Sequence, residues 1–230
     1  MISIIILEWN TLSYLRECIE SVKKYTEKPY EIIVVDNGSK EEGTKEYIKS
    51  VADKWIFNET NLGFSKGNNQ GAELADGDLV FMNSDIVVGK NWLEDMKRTF
   101  WNHKDCGAVG PLANPISGTV CGTLCGFFQY KGQFKIDTQV ANLMGFCLLM
   151  KKEVFNQIKF NEKFDKGCYE DKLLSDELTK RGYTMWICAK ADVTHKAPGR
   201  SFEANHLNYL ELLEKNKEIY SHGERSGGAS

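Results

Sequence analysis

Residues 2–7 are apolar almost without interruption, the pattern of a strand covered on both faces of a sheet. Residues 11–25 change to helical spacing, with Leu12, Leu15, Ile19 and Val22 along one face and Thr11 placed to cap. The alternation then repeats, predicting a strand over 31–36, a helix over 40–51, a strand over 54–58, a helix over 65–75 and a strand over 79–83. Such units with short connections imply an α/β fold, a doubly wound and mostly parallel central sheet flanked by helices, with a smaller region appended. Further along, the pattern predicts a helix over 91–100, a strand over 106–111 and a loop or hairpin over 117–126. A strand over 143–151, a helix over 169–181 and short strands over 183–188 and 192–195 follow. An amphipathic helix over 202–221 carries Leu207, Leu210, Leu213 and Ile219 on one face. The reading is one domain over 1–222, with halves 1–110 and 111–200, and a frayed tail over 223–230.

Composition narrows the partners. With 42% hydrophobic residues the chain can fill a core, and at a net charge of −3 it shows no Lys/Arg stripe that would mark a nucleic-acid partner. Seven cysteines, odd in number and mostly inside apolar segments (Cys106, Cys147, Cys188), favour reduced thiols over a disulfide frame. Cys121 and Cys125 supply at most half a zinc site. The start lacks the basic region of a signal peptide, and the apolar run 143–150 falls short of the about 20 residues a bilayer needs. The expected location is therefore cytoplasmic, with peripheral contact at the inner face of a membrane left open. Trp9, Trp55, Trp92, Trp101 and Trp186 are expected chiefly in the core, and His103, His206 and His222 on exposed stretches without a role.

Candidate chemistry gathers where strands end. Ligands of open α/β sheets sit beyond the carboxyl ends of the strands, and Glu8-Trp9-Asn10, Asp36-Asn37 and Asn83-Ser84-Asp85 all fall there. Asp36-Asn37-Gly38-Ser39 is also ordinary turn chemistry, with Ser39 able to cap the next helix. In the functional alternative Asp36 accepts from a base edge such as a pyrimidine N–H. The glycines of the segment 61–71 permit close approach to a ligand or a neighbouring strand. That segment is no Walker loop, and no GxGxxG follows the first strand, which argues against a nicotinamide enzyme. Asp85 offers a hard oxygen for Mg²⁺ or Mn²⁺ bridging a diphosphate. Glu170-Asp171 opens a helix, where acids favour the dipole, yet either could act as a general base. His195 is a lone imidazole after a short strand and could ligate Mn²⁺.

Taken in order, these pieces resemble a family 2 glycosyltransferase with the GT-A fold, over roughly residues 2–200. The likeness rests on Asn10 and Leu15-x-x-Cys18-x-x-Ser21, on Val34-Val35-Asp36-Asn37-Gly38-Ser39, and on Asn61-x-Gly63-Phe64-x-x-Gly67-x-Asn69-x-Gly71. It continues through Asn83-Ser84-Asp85, the run from Met144 to Met150, Val154-Phe155, Phe164-Asp165, Glu170-Asp171 and Arg181-Gly182-Tyr183. The resemblance implies inverting transfer from a nucleotide sugar, with UDP- or dTDP-sugars favoured and guanosine left open, to a hydroxyl of a glycan, lipid-linked or protein acceptor in glycan or polysaccharide assembly. It makes 1–110 the nucleotide-binding half and 111–200 the acceptor side. It implies that Glu8, Asn10, Asp36, Asn37, Gly63, Lys66, Asn83 and Ser84 serve the nucleotide, and that Asp85 and His195 hold Mn²⁺ or Mg²⁺. Asp171, with Glu170 beside it, takes the place of the catalytic base, and Gly145 and Phe146 lie on the acceptor side. Two positions depart from the pattern: Asn83 stands for the first acid of Asp-x-Asp, and Leu173 stands where a further acid is frequent. A nucleotidyltransferase would want a Gly- and Arg-containing loop after the first strand, and none is there. A non-catalytic nucleotide-binding or scaffold member of a glycan-assembly complex is the remaining alternative.

Overall fold

A computed structural model describes residues 1–112, 134–164, 166–196 and 208–226. The region 117–126, Cys121, Cys125, Asp165, His206 and Leu207 lie outside them.

The first half folds as its pattern dictates. Strand β1 (Ile2–Glu8) runs between β2 (Tyr30–Asp36) and β4 (Asp78–Asn83), parallel to both, and β3 (Lys54–Phe57) extends the sheet beyond β2. Alternation along β1 explains its unbroken apolar run: Ile4 and Ile6 face one core layer and Ile5 the other. On the first face pack α1 (Leu12–Tyr25), through Leu15, Cys18, Ile19 and Val22, and α4 (Trp92–Asn102), through Trp92, Met96 and Phe100. On the other lie α3 (Phe64–Leu74) and an aromatic group of Phe81, Phe155 and Phe160. Helix α3 sits unusually close to β1, because a Cβ on Gly67 or Gly71 would stand 2.4 Å from a methyl of Leu7 or Ile5. Helix α2 (Thr44–Val51) starts later than expected. Residues 40–43 form a turn, and Ser39 lies outside the helix, its Oγ accepting from the Asn10 N–H at 2.9 Å instead of capping. Thr11 likewise does not cap α1; the Leu12 N–H donates to the Glu41 carboxylate at 2.9 Å.

Beyond β4 the sheet becomes mixed, in the order β3-β2-β1-β4-β8-β6-β9-β7. Here β8 (Cys147–Met150) runs antiparallel to β4 and to β6 (Cys106–Pro111), β9 (Thr184–Cys188) parallel to β6, and β7 (Thr138–Val140) antiparallel to β9. Three further elements were not foreseen as such, the strand β7, the helix α5 (Lys152–Ile158) and the three-residue strand β5 (Ile86–Val88). Strand β5 pairs antiparallel with β10 (Val193–His195) in a small second sheet. Helix α6 (Glu170–Lys180) follows, and α7 (Tyr209–Ser226) closes the chain, its helix continuing past Gly223, where a frayed tail was expected. Leu210 does not belong to the buried face of α7, being 55% exposed; Leu212, Leu213, Asn216 and Tyr220 do. Of the tryptophans, only Trp92 is fully buried, whereas Trp55 and Trp101 are 40% and 58% exposed. His103, expected to be idle, stacks on Trp186 with ring centroids 3.4 Å apart.

Candidate functional site

Three parallel strands end level with one another. In register, Glu8 stands beside Asp36 and Leu7 beside Asn83, so the loops after β1, β2 and β4 open on one crevice.

Glu8 is wholly buried there. The Thr11 N–H donates to its Oε1 at 2.6 Å, the Thr11 hydroxyl donates to its Oε2 at 2.8 Å, and the Thr11 and Ser84 hydroxyls meet at 2.9 Å. Burial pushes the Glu8 carboxyl up to about 7, against the Thr11 and Ser84 hydrogen bonds that hold it down. Asp36 accepts from the Ser39 N–H at 2.9 Å through Oδ1, while its Oδ2 is buried with no hydrogen-bond partner. The neighbouring amides are engaged with the protein itself. Asn10 Oδ1 accepts from the Lys40 N–H at 2.7 Å. The Asn37 amide N–H groups donate to Asn61 Oδ1 and to the Gly63 carbonyl, and its Oδ1 accepts from Asn58. These groups set the shape of the loops around the crevice. Gly63 precedes α3, and Lys66 is exposed on the first turn of that helix.

The β5–β10 ladder brings Asp85 to His195 across a long stretch of sequence. Their Oδ1 and Nε2 atoms lie 3.1 Å apart, with both side chains nearly buried. That approach suits an ion pair by distance, but its alignment is not that of a hydrogen bond, and Nε2 has no hydrogen-bond partner. Two cis ligands of an octahedral ion with bonds near 2.1 Å stand roughly 3 Å apart, so the pair fits a divalent cation between its atoms. No group of three His, Cys, Asp or Glu placed to hold a metal ion occurs among the described residues.

Across the crevice, Asp171 opens α6. Its Oδ2 accepts from the Gly145 N–H at 3.1 Å and its Oδ1 from the Lys172 N–H at 2.8 Å. Burial raises its carboxyl above the ordinary value, and these N–H groups oppose the rise. Glu170, in the same first turn, is 7% exposed. A Cβ on Gly145 would lie 3.2 Å from the Phe64 ring and 3.4 Å from Asp171 Cβ, so only a glycine lets these three groups close together without displacement. Phe146 lies against His195 and Asn83. Its ring is 4% exposed and stacks on His195 with centroids 5.0 Å apart, and its carbonyl accepts from the Asn83 N–H at 2.9 Å. Gly145 and Phe146 therefore join Asp171 on one side to Asn83 and His195 on the other. The structure thus brings together Glu8, Asp36, Ser84, Asp85, His195, Gly145 and Asp171, while the Asn10 and Asn37 side chains hydrogen-bond within the loops beside them.

The model of glycosyl transferase family 2 matches residues 3–159, more than half of the chain. The chain belongs to glycosyl transferase family 2. Glycosyltransferase GlyG of Streptococcus pneumoniae is 24% identical over 72% of this family 2 chain and 62% of its own length. A glucosyl-dolichyl phosphate glucuronosyltransferase of Haloferax volcanii is 30% identical over 50% of this chain and 38% of its own. The putative glycosyltransferase EpsH of Bacillus subtilis is 31% identical over 45% and 31%. The family 2 chain thus spans about a third to three-fifths of these relatives. Among solved structures, GalNAc-T7 with UDP, GalNAc and Mn²⁺ superposes with a TM-score of 0.70 at 18% identity, covering 85% of this chain and 43% of that one. S. aureus TarS in complex with UDP-GlcNAc superposes at 0.66 and 19%, covering 84% and 57%. The shared architecture is the GT-A fold, a large central sheet flanked by helices.

Sequence reasoning missed three contributors. Glu41 caps α1 from a loop, Phe64 walls Gly145, and Thr11 links Glu8 to Ser84. Each acts across a separation in sequence, and only the short polar side chain of Thr11 carried a local signal, which pointed to a cap.

Proposed function

We propose that this chain moves a sugar from a nucleoside diphosphate donor to an acceptor hydroxyl, with inversion, in the assembly of a glycan or polysaccharide. The observation that carries the reading is the Gly145–Phe146 pair, which touches the Asp171 carboxylate with one residue and the Asn83–His195 cluster with the next. A proton acceptor and a cation site within one crevice suit displacement at an anomeric carbon with a diphosphate leaving group. Asp171, raised by burial, takes the proton of the attacking hydroxyl as general base. Asp85 and His195 would hold the divalent cation, which neutralises the charge of the departing diphosphate. A carboxylate with an imidazole suits Mn²⁺ better than Mg²⁺, since the latter prefers oxygen throughout. The unpaired Asp36 Oδ2 is an acceptor for a pyrimidine N–H and favours a UDP- or dTDP-sugar. GalNAc-T7 with UDP and Mn²⁺, and TarS with UDP-GlcNAc, support a donor of this class. No helix among the described residues is long and apolar enough to cross a membrane.

Calorimetric titration of UDP, dTDP and GDP, each with and without Mn²⁺, tests this. One pyrimidine nucleotide should bind in a Mn²⁺-dependent way, and Asp85→Ala or His195→Ala should abolish the dependence. Asp171→Asn should bind that nucleotide as the parent does, while donor turnover falls by roughly 10²–10⁴-fold. Equal binding with and without Mn²⁺, unaffected by either substitution, would refute the cation site.

A further inference from the structure

We propose that Glu8 is a positioning residue for the donor site, tying the start of α1 to the Asn83–Ser84–Asp85 turn and so holding Asp85 opposite His195. The inference rests on the transferase reading above and deepens it.

The position is an odd one for a carboxylate. Glu8 continues the row Ile2, Ile4, Ile6 on the α1 face of the central strand, each member of which is buried in an apolar cluster. A polar group buried there is costly unless it is hydrogen-bonded, and an apolar residue would extend the row without that demand. Instead both carboxylate oxygens are engaged by Thr11, through its N–H and its hydroxyl, and the hydroxyl in turn meets Ser84. Thr11 is thereby withdrawn from capping α1, a task left to Glu41. The arrangement gives up a local cap for a long-range link.

The link ends one residue from the cation site. The backbone of the turn is already fixed on either side of Ser84, by the Asn83 N–H donating to the Phe146 carbonyl and by the Lys196 N–H donating to the Asp85 carbonyl, each at 2.9 Å. The Ser84 hydroxyl adds a third tether, directed back toward Thr11 and Glu8. With those three points held, the Asp85 carboxylate has a set direction toward His195 Nε2. Groups that orient metal ligands from behind typically change affinity by roughly 10–100-fold when removed.

The test is calorimetry of UDP and dTDP, with and without Mn²⁺, on the parent protein, Glu8→Gln, Ser84→Ala and the double variant, with thermal unfolding of each. Glu8→Gln keeps the volume and can still accept from the Thr11 N–H, so it should fold with a midpoint no lower than the parent's. Its Mn²⁺-dependent affinity should fall by roughly 10–100-fold while metal-free binding stays unchanged. Ser84→Ala should give the same pattern, and the double variant should be no worse than either single one. The proposal is overturned if Glu8→Gln binds the metal-nucleotide pair as the parent does. It is overturned equally if metal-free and metal-dependent binding fall together, which would make Glu8 a direct nucleotide contact. If the parent itself binds neither nucleotide with Mn²⁺, the donor reading fails and takes this inference with it.

Discussion

Glu8 shows at the scale of one residue how function and stability pull apart. Its carboxyl is raised from 4.5 to about 7, so between those values the folded chain binds a proton that the unfolded chain releases. Its contribution to stability is therefore complete below about 4.5 and is lost as pH rises through about 7, a difference of about 3 kcal/mol. Glu8→Gln, which never ionises, should be more stable than the parent at pH 8, and the gap should close toward pH 4. Urea unfolding of both proteins across that range measures it; a gap that does not change with pH would contradict the assignment. The same residue illustrates what sequence conveys. Its place at the end of an apolar strand marks it for a site, as it does Asp36 and Asp85. Its partner Ser84, however, lies on another strand's loop, and nothing local to either residue encodes their meeting.

Elements were legible where their pattern is long. Strand β1 and helices α1, α3 and α4 follow from unbroken apolar runs or helical spacing, because those periods reflect burial on one or two faces. The strands β5, β7 and β10 have three residues each; β10 was foreseen over 192–195, whereas β5 and β7 are too short for a period to establish itself, yet β5 and β10 are what bring Asp85 to His195. Sequence could name both residues, and only the ladder explains their contact. The glycines of α3 were legible as points of close approach; the neighbour turned out to be a strand. Alanine in place of Gly71 would gain up to about 1 kcal/mol of helix propensity. Its Cβ would collide with Ile5 at 2.4 Å, and overpacking costs about 1–3 kcal/mol, so the packing term wins. Gly71→Ala should thus lower the urea midpoint. An unchanged or raised midpoint would mean that α3 can shift away from β1.

Across the whole molecule, α7 packs against α6 and the residues just before it. Leu213 and Tyr220 pack with Phe164 and Tyr169, the Tyr220 hydroxyl donates to Asp176 on α6, and buried Asn216 donates to the Gly167 carbonyl. The helix that carries Asp171 is thereby braced from behind. Asn216→Ala leaves that carbonyl short of a donor in a buried setting, which costs about 1–3 kcal/mol. Thermal unfolding should register the loss, while nucleotide binding with Mn²⁺ at the proposed site of Asp36, Asp85 and His195 should hold. A loss of nucleotide affinity of the same size would show that α7 is mechanically coupled to that site.

The junction of β4 with β8 has a further property. The Asn83 N–H meets the Phe146 carbonyl, the Gly145 N–H meets Asp171, and β4 lies along β8 by ladder hydrogen bonds. Main-chain bonds carry the strand junction, while side chains are shared across it, among them the Phe81, Phe155 and Phe160 rings, Asn69 on Phe160 and the Asp85–His195 pair. Exchange of either side of this junction for that of a relative would therefore have to carry the ring group and the Asp85–His195 pair along with the strands, with glycine kept at 145.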